Sequence, residues 1–423
     1  MVRSFSEIAR RIERKEAVVM TAQEICDLVE GGERAKLEDV DVVTTATRAV
    51  MSGTYALFSF PVAKPHSFVR ARNVWLNGVP AYVGPCPNEN LGILDLMVFG
   101  IARSRRYPGY GGGHLFRDLV EGKEVHVEVE ADDCRTLSRD VTLTEMPHAR
   151  LFGSRHAFKN YAAFVNPGAD PVSTIFHVSG FSPRLSGATF SGCGQINPLK
   201  SDPLLEAVGI GTRILLNGAE GFVIGTGTRS SPEKPNLSGF ADMHHMTPEY
   251  MGGFLTSAGP ECICSWAVPI PVISKTILDH IARLDREIPL PVMDVITRQP
   301  MGEASYGDVW DGADLNVEFY PDHCIGCAGC RVEEVCPLGA VSFDGDKARW
   351  DARRCFHCGI CVSECAGNAF RCNMGSVRLG SCSIPVVLRQ SDRLRAIRLA
   401  KDLKNRILDG TFRISDPVER IAP

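Results

Sequence analysis

The chain has 423 residues, room for two or three domains, and its 44% hydrophobic and 23% charged composition is that of a globular protein with a large core. A formal net charge of −4, with no stretch of interleaved basic and aromatic residues, excludes bulk nucleic-acid binding. No run approaches the ~20 apolar residues of a membrane span and the N-terminus lacks an apolar signal core, so a cytoplasmic protein is expected.

The chain opens with a predicted helix that places Phe5, Ile8 and Ile12 on one face. Thr21 and Glu24 form a capping-box pair before a second helix with Ile25, Leu28 and Val29, which Gly31-Gly32 should end. Asp39 to Thr45 reads as a strand entering a loop from Ala46 to Gly53, and Asn73 to Pro80 as a strand with a tight turn. Gly84-Pro85-Cys86-Pro87-Asn88-Glu89-Asn90 reads as a rigid, irregular loop. Gly111, Gly112 and Gly113 then lead into a helix. Bare amides at a helix N-terminus can hold an anion, although a glycine turn before a helix is common for other reasons. His114 is placed to touch such an anion or to act as acid or base, or merely to cap and pack.

Val125 to Glu130 and Val141 to Leu143 alternate as the arms of a hairpin, and the connection puts Cys134 on a polar loop beside Arg135. A cysteine in that setting can reach its thiolate form and react. Residues 160–270 are rich in glycine and small residues, with a hairpin at Ile210–Gly225. Cys193, in Ser191-Gly192-Cys193-Gly194, reads as a flexible-loop thiol, and Cys86 and Cys193 are candidates for a second functional thiol. Cys262 and Cys264 read as core. A helix over Ile273–Leu284 is followed by a proline-rich linker at Ile288-Pro289-Leu290-Pro291. Beyond a strand at Ile384–Leu388, Ser391 should cap a basic amphipathic helix with Leu394, Ile397, Leu403 and Ile407 inward and its basic residues solvated.

Nine of the 16 cysteines fall between Cys324 and Cys372, a distribution that suits metal binding in a reducing compartment better than a disulfide framework. They read Cys324-x2-Cys327-x2-Cys330-x5-Cys336-Pro337 and Cys355-x2-Cys358-x2-Cys361-x3-Cys365. Two such tandem runs resemble the bacterial two-cluster ferredoxin, in which each run gives three thiolates to one cluster and its fourth to the other. That resemblance implies two [4Fe–4S] clusters: one on Cys324, Cys327, Cys330 and Cys365, the other on Cys355, Cys358, Cys361 and Cys336. The five-residue gap before Cys336 and Ala366 in place of proline depart from the pattern. Paired zinc sites are the alternative, but zinc ligands usually come as separated CxxC pairs.

Leu76 to Tyr82, Tyr110 to Val120, Ala188 to Gly192 and Gly209 to Arg213 resemble, in that order, segments of the homocysteine-biosynthesis family of sulfurtransferases. With the cysteine runs included, the chain is similar to that family's methanogen-specific branch, the methanogenesis marker 16 metalloproteins. The resemblance implies an α+β or mixed α/β body over residues 1–315, a two-cluster ferredoxin unit over 316–373, and a C-terminal strand and helix over 374–423 that pack back on the body. It also implies reductive conversion of a small anionic aldehyde to a thiol: sulfoacetaldehyde to coenzyme M, or aspartate semialdehyde to homocysteine. The reaction needs sulfide or a persulfide donor and a low-potential electron donor; a homo-oligomer is possible. Cys134 matches the family's essential cysteine; His114, read from its own surroundings, is the other catalytic candidate. Gly111, Gly112, Gly113 and an arginine such as Arg117 (or Arg103, Arg105, Arg106, Arg213) would hold the anionic end. The family often has another cysteine where this chain has Met51-Ser52-Gly53. A different class of reading is an electron-transfer module without a substrate of its own.

Overall fold

The computed structural model describes residues 3–84, 86 and 88–421; Pro85 and Pro87 of the expected rigid loop lie outside them. The first two helices form at Phe5–Glu13 and Ala22–Glu30. The second starts on the Thr21–Glu24 capping box and ends at Gly31, and Gly32 is left-handed. A 14-stranded sheet follows. From one edge it runs Val19–Thr21, Val42–Val50, Gly259–Pro271, Arg213–Leu216, Ala219–Thr226, Leu237–Asp242 and His148–His156. It continues through Thr54–Pro61, Ile93–Phe99, Val79–Val83 and Ala71–Leu76 to the hairpin Val125–Ala131 and Thr136–Val141.

Val42–Val50 is longer than its expected strand. The segment does not become a loop at Ala46, because Gly259–Pro271 pairs antiparallel with it along all nine residues, from Pro271↔Val42 to Ile263↔Val50. Its Val and Thr side chains suit a pleated surface buried on both faces. The hairpin arms are longer too. Thr136 already pairs with Glu130, so the connection tightens to Asp132–Arg135 with Cys134 at φ 65°.

A second sheet of six strands runs Pro300–Ser305, Pro289–Asp294, Ala163–Val165, Ala188–Phe190, Cys382–Arg389, Ser376–Leu379. Pro289 and Pro291 thus belong to a strand rather than a linker. The parallel neighbour Ala163–Val165 pairs only with Val292–Asp294, beyond both prolines, so no ladder bond to it is lost. Strand Cys382–Arg389 and helix Arg393–Leu408 do pack back on the body, the helix against Val42–Val50 and Gly259–Pro271. Asp392, not Ser391, caps that helix, accepting from the Arg395 amide. Leu399, Leu403 and Ile407 face inward as periodicity requires, but Arg393 and Arg395 are buried with them.

Candidate functional site

The two cysteine runs repeat one another in backbone as well as in spacing. The residue before the second cysteine is left-handed in both, Gly326 at φ 63° and His357 at φ 54°. So is the residue three beyond the last cysteine, Gly339 at 58° and Asn368 at 52°. Those turns aim an amide back at sulfur. Ala340 N–H donates to Cys336 Sγ (3.3 Å) and Ala369 N–H to Cys365 Sγ (3.4 Å). His357 N–H donates to Cys355 Sγ (3.3 Å) and Ala348 N–H to Cys324 Sγ (3.4 Å). Such amide–sulfur bonds favour the thiolate and tune whatever it ligates.

The runs come together crosswise. Cys336 of the first joins Cys355, Cys358 and Cys361 of the second around one cavity, walled otherwise by apolar groups including Leu338, Trp350, Phe356 and Ile360. At the other set, Arg331, next to Cys330, is paired at 3.3 Å with Glu364, next to Cys365. The five-residue gap is taken up by the single helical turn Arg331–Val335, which lies against Ile360–Glu364. Among the described residues no three His, Cys, Asp or Glu groups converge closely enough for a single ion. Four thiols around one apolar-walled cavity are soft donors of the kind that an iron–sulfur cube takes. Burial pushes Cys355 up to about 11 and raises Cys358 and Cys361 as well. Unaided, these thiols stay protonated at neutral pH; a ligated metal would release their protons.

The inner set is seated on the body. Phe356 packs edge-on against Phe254 (5.3 Å) and carries the Arg48 guanidinium over its ring at 4.7 Å. Arg395 donates to the carbonyls of Cys355, Ala352 and Arg353, and the Arg389 amide to the carbonyl of Cys358. Arg48 and Arg395 share the carboxylate of Asp392, at 2.7 and 3.1 Å. On its other side Arg48 reaches Cys193, whose thiol lies 3.9 Å from the Arg48 carbonyl oxygen and receives the Thr47 hydroxyl at 3.7 Å. Cys193 is fully buried, which pushes its thiol up to about 11. It is not on a flexible loop: Gly192 N–H is bound by Ser391 Oγ at 2.7 Å, and the Gly192 carbonyl by Trp310 Nε1 at 3.2 Å.

The other expected residues are elsewhere. Cys134 is exposed at the hairpin tip on the far edge of the large sheet, and the Arg135 guanidinium beside it is held by Asp133 (2.6 Å). Cys86 is also exposed. Among the described residues no hydrogen bond joins Cys134 to His114. The three glycines serve close packing and their amides are engaged. Gly112 N–H donates to the Ala102 carbonyl (2.9 Å), Gly113 N–H to that of Gly100 (2.8 Å), and Gly111 N–H to His114 Nδ1 (3.2 Å). This helix N-terminus is therefore closed to an anion. His114 stacks on Tyr110 (5.5 Å) and burial pushes it down to about 4, so its ring is neutral with the remaining proton on Nε2. Arg117, one turn along, is paired with Glu121 (2.8 Å). Cys262 and Cys264 are core, as expected. Cys264 Sγ begins a buried chain through Thr54 Oγ1 (3.4 Å) and His156 Nε2 (2.8 Å), whose Nδ1 accepts from Trp266 Nε1 (2.9 Å).

A family model described as "Homocysteine biosynthesis enzyme, sulfur-incorporation" matches residues 17–414. The chain belongs to that family. The family's match spans the cysteine runs as well as the body, and it makes the protein an enzyme of the sulfurtransferase type. An uncharacterized protein of Methanothermobacter thermautotrophicus is 47% identical over 411 residues, 97% of this chain and 94% of its own length. An uncharacterized protein of Methanocaldococcus jannaschii is 40% identical over 95% of this chain and all of its own length. The L-aspartate semialdehyde sulfurtransferase of M. jannaschii is 32% identical over 70% of this chain and 59% of its own length. No solved structure matches. No helix among the described residues is long and apolar enough to cross a membrane.

The buried arginines Arg48, Arg389, Arg393 and Arg395 were not expected at the site. Their sequence signals were a charge inside the apolar run Val42–Val50 and three arginines in the seven residues 389–395.

Proposed function

We propose that this protein converts an anionic aldehyde to a thiol, with electrons carried on the same chain. One aldehyde, one hydrogen sulfide, two electrons and two protons give one thiol and one water. The supporting observation is the seating of the inner cysteine set on the body, where Arg48 touches Phe356 with its guanidinium and the buried thiol Cys193 with its carbonyl. When bound, two [4Fe–4S] clusters would supply the electrons one at a time. Cys336, Cys355, Cys358 and Cys361 would hold the inner one, and Cys324, Cys327, Cys330 and Cys365 the outer. His114, neutral and stacked on Tyr110, is a hydrogen-bond donor rather than a base, and Arg117 is already paired with Glu121. Both stand at the other end of the Val125–Ala131 strand from Cys134 and take no part in its step. Cys134, exposed, adds to the aldehyde carbon as thiolate and the oxygen takes a proton. Hydrogen sulfide then replaces that hydroxyl, which leaves as water, and two electrons with two protons cleave the carbon–Cys134 bond to release the product thiol and the free Cys134 thiol.

The names of the relatives favour L-aspartate semialdehyde as substrate, giving homocysteine. One observation favours a second reading. M. jannaschii carries both a protein so named and a separate relative that this chain matches better and over its full length. Two such proteins in one organism point to a second aldehyde, and sulfoacetaldehyde, giving coenzyme M, fits the same chemistry. The test is an anaerobic assay of the reconstituted chain with sulfide, a low-potential reductant and each aldehyde in turn, with thiols identified by mass spectrometry. Homocysteine alone supports the first substrate and coenzyme M alone the second. Neither product, with both clusters reducible, would leave an electron-transfer module.

A further inference from the structure

The junction between the inner cysteine set and the body holds more buried cation than buried acid. Arg48, Arg389, Arg393 and Arg395 are each at most 5% exposed, while the buried carboxylates among them are Asp285 and Asp392. Arg393 is paired with Asp285; Arg48 and Arg395 share Asp392, and Arg395 also reaches Glu249 at 3.2 Å. Arg389 has no such partner. Its guanidinium donates to the carbonyls of Asp314 (2.6 Å) and Asn373 (3.1 Å) and lies 3.8 Å from Cys372 Sγ. Its Nε has no partner, and no carboxylate among the described residues comes within 4.0 Å. The Trp310 ring, 4.8 Å from the guanidinium carbon, and the two carbonyls offset part of the cost of this charge at 1% exposure, and a nearby anion would offset the rest. Nothing in catalysis at Cys134 calls for this arginine.

Its position says what the anion is. The Arg389 backbone amide is bonded to the carbonyl of Cys358 at 2.8 Å, and negative charge on the Cys358 sulfur favours the Arg389 cation. Four thiolates around a [4Fe–4S] cube make a doubly negative unit, which gains a third negative charge on reduction. Burial alone opposes that third charge and lowers the potential; a fixed cation beside the cube favours it and raises the potential. The outer set has no buried equivalent among the described residues: Lys347, whose amine donates to the Cys324 carbonyl, is exposed. The outer cysteines are half-buried, and the arginine next to Cys330, Arg331, is exposed and already paired with Glu334 and Glu364.

We propose that Arg389 is the buried counter-ion of the inner cluster and makes it the higher-potential one, so that electrons entering at the half-buried outer set collect on the cluster facing Phe356 and the body. The proposal rests on the two-cluster reading above and gives it a direction.

The test is an anaerobic redox titration of the reconstituted full chain, followed by electron paramagnetic resonance. The wild type should show two separated one-electron steps, and coincident steps would overturn the proposal without any variant. Arg389→Met should lower the higher step by a tenfold change in the reduced-to-oxidised ratio or more, about 59 mV for a one-electron couple, and leave the lower step in place. Arg389→Lys, which keeps the charge, should restore most of that shift, and the exposed Arg378→Gln should move neither step. An unmoved higher step in Arg389→Met with iron and sulfide contents intact overturns the role of Arg389. If Arg389→Met loses iron, Arg389→Lys decides: its higher step must stay within the tenfold limit. A wild type that takes up no [4Fe–4S] cluster would instead overturn the two-cluster reading.

Discussion

Gly112→Ala separates two roles for the glycines that lead into the Gly112–Val120 helix, because the roles predict opposite signs. At an open helix N-terminus serving only to present amides, alanine leaves the amide in place and raises helix propensity by ~1 kcal/mol, so the variant should be more stable. In the structure the new methyl would sit inside the van der Waals shell of the Phe99 carbonyl oxygen and 2.9 Å from both Gly100 Cα and the Phe99 carbonyl carbon. Carbon–carbon contacts are optimal at roughly 3.5–4.0 Å, and these atoms are backbone, so the helix itself must move. Overpacking of this kind costs about 1–3 kcal/mol. With backbone on the far side, we expect the upper end, a loss near ~3 kcal/mol and a folded-to-unfolded ratio lower by roughly a hundredfold. Gly113→Ala should cost less, its methyl meeting Gly252 O at 2.8 Å and Glu261 O at 3.0 Å. Equilibrium unfolding in guanidinium chloride, followed by circular dichroism, measures both. A Gly112→Ala protein as stable as the wild type would refute the packing argument and reopen this N-terminus to an anion.

Cys134→Ser should change stability by less than about 0.5 kcal/mol, because the side chain is exposed, yet abolish thiol formation; unchanged turnover in the aldehyde assay would remove Cys134 from the mechanism. His156, fully buried and pushed down to about 3, binds its proton far more readily in the unfolded chain. Its contribution to stability should be complete above pH ~6.5 and fall toward pH ~3, at up to ~1.4 kcal/mol per pH unit. His156→Phe should flatten guanidinium midpoints measured between about pH 7.5 and 5, and an equal slope in both proteins would contradict this. Asp392→Asn leaves Arg48 and Arg395 without their shared carboxylate and should cost about 3–5 kcal/mol, read from the same unfolding curves.

Local chemistry was legible wherever one residue type dictates one geometry. The Thr21–Glu24 capping box, the Asn77-Gly78 turn at φ 48° and 77°, and the Asn217-Gly218 turn at 52° and 86° all form where the residues call for them. What misled was anything decided by a distant partner. Val42–Val50 continues as a strand because Gly259–Pro271 lies beside it, more than two hundred residues away. Pro289 and Pro291 are tolerated in a strand because the neighbour to which they cannot donate begins pairing only at Val292. The same holds at the site. Cysteine spacing announced the grouping of Cys336 with Cys355, Cys358 and Cys361 around one cavity. Whether a glycine amide is free or already bonded, and whether an arginine is solvated or buried, depends on which segments pack over it, and no local pattern carries that information.

The order of strands in the second sheet bears on how the protein is made. Ala188–Phe190 waits for Cys382–Arg389 as its parallel neighbour, and Val42–Val50 waits for the helix Arg393–Leu408. Both partners leave the ribosome after residues 324–365, so every cysteine of the two runs is synthesised before the body can close over the inner set. Under the proposed two-cluster reading, metal would load before completion of the core, while the Cys358 side of the cavity is still open. A chain cut at residue 315 would lack two strands of its second sheet, Ser376–Leu379 and Cys382–Arg389, and the helix that seals its first long strand.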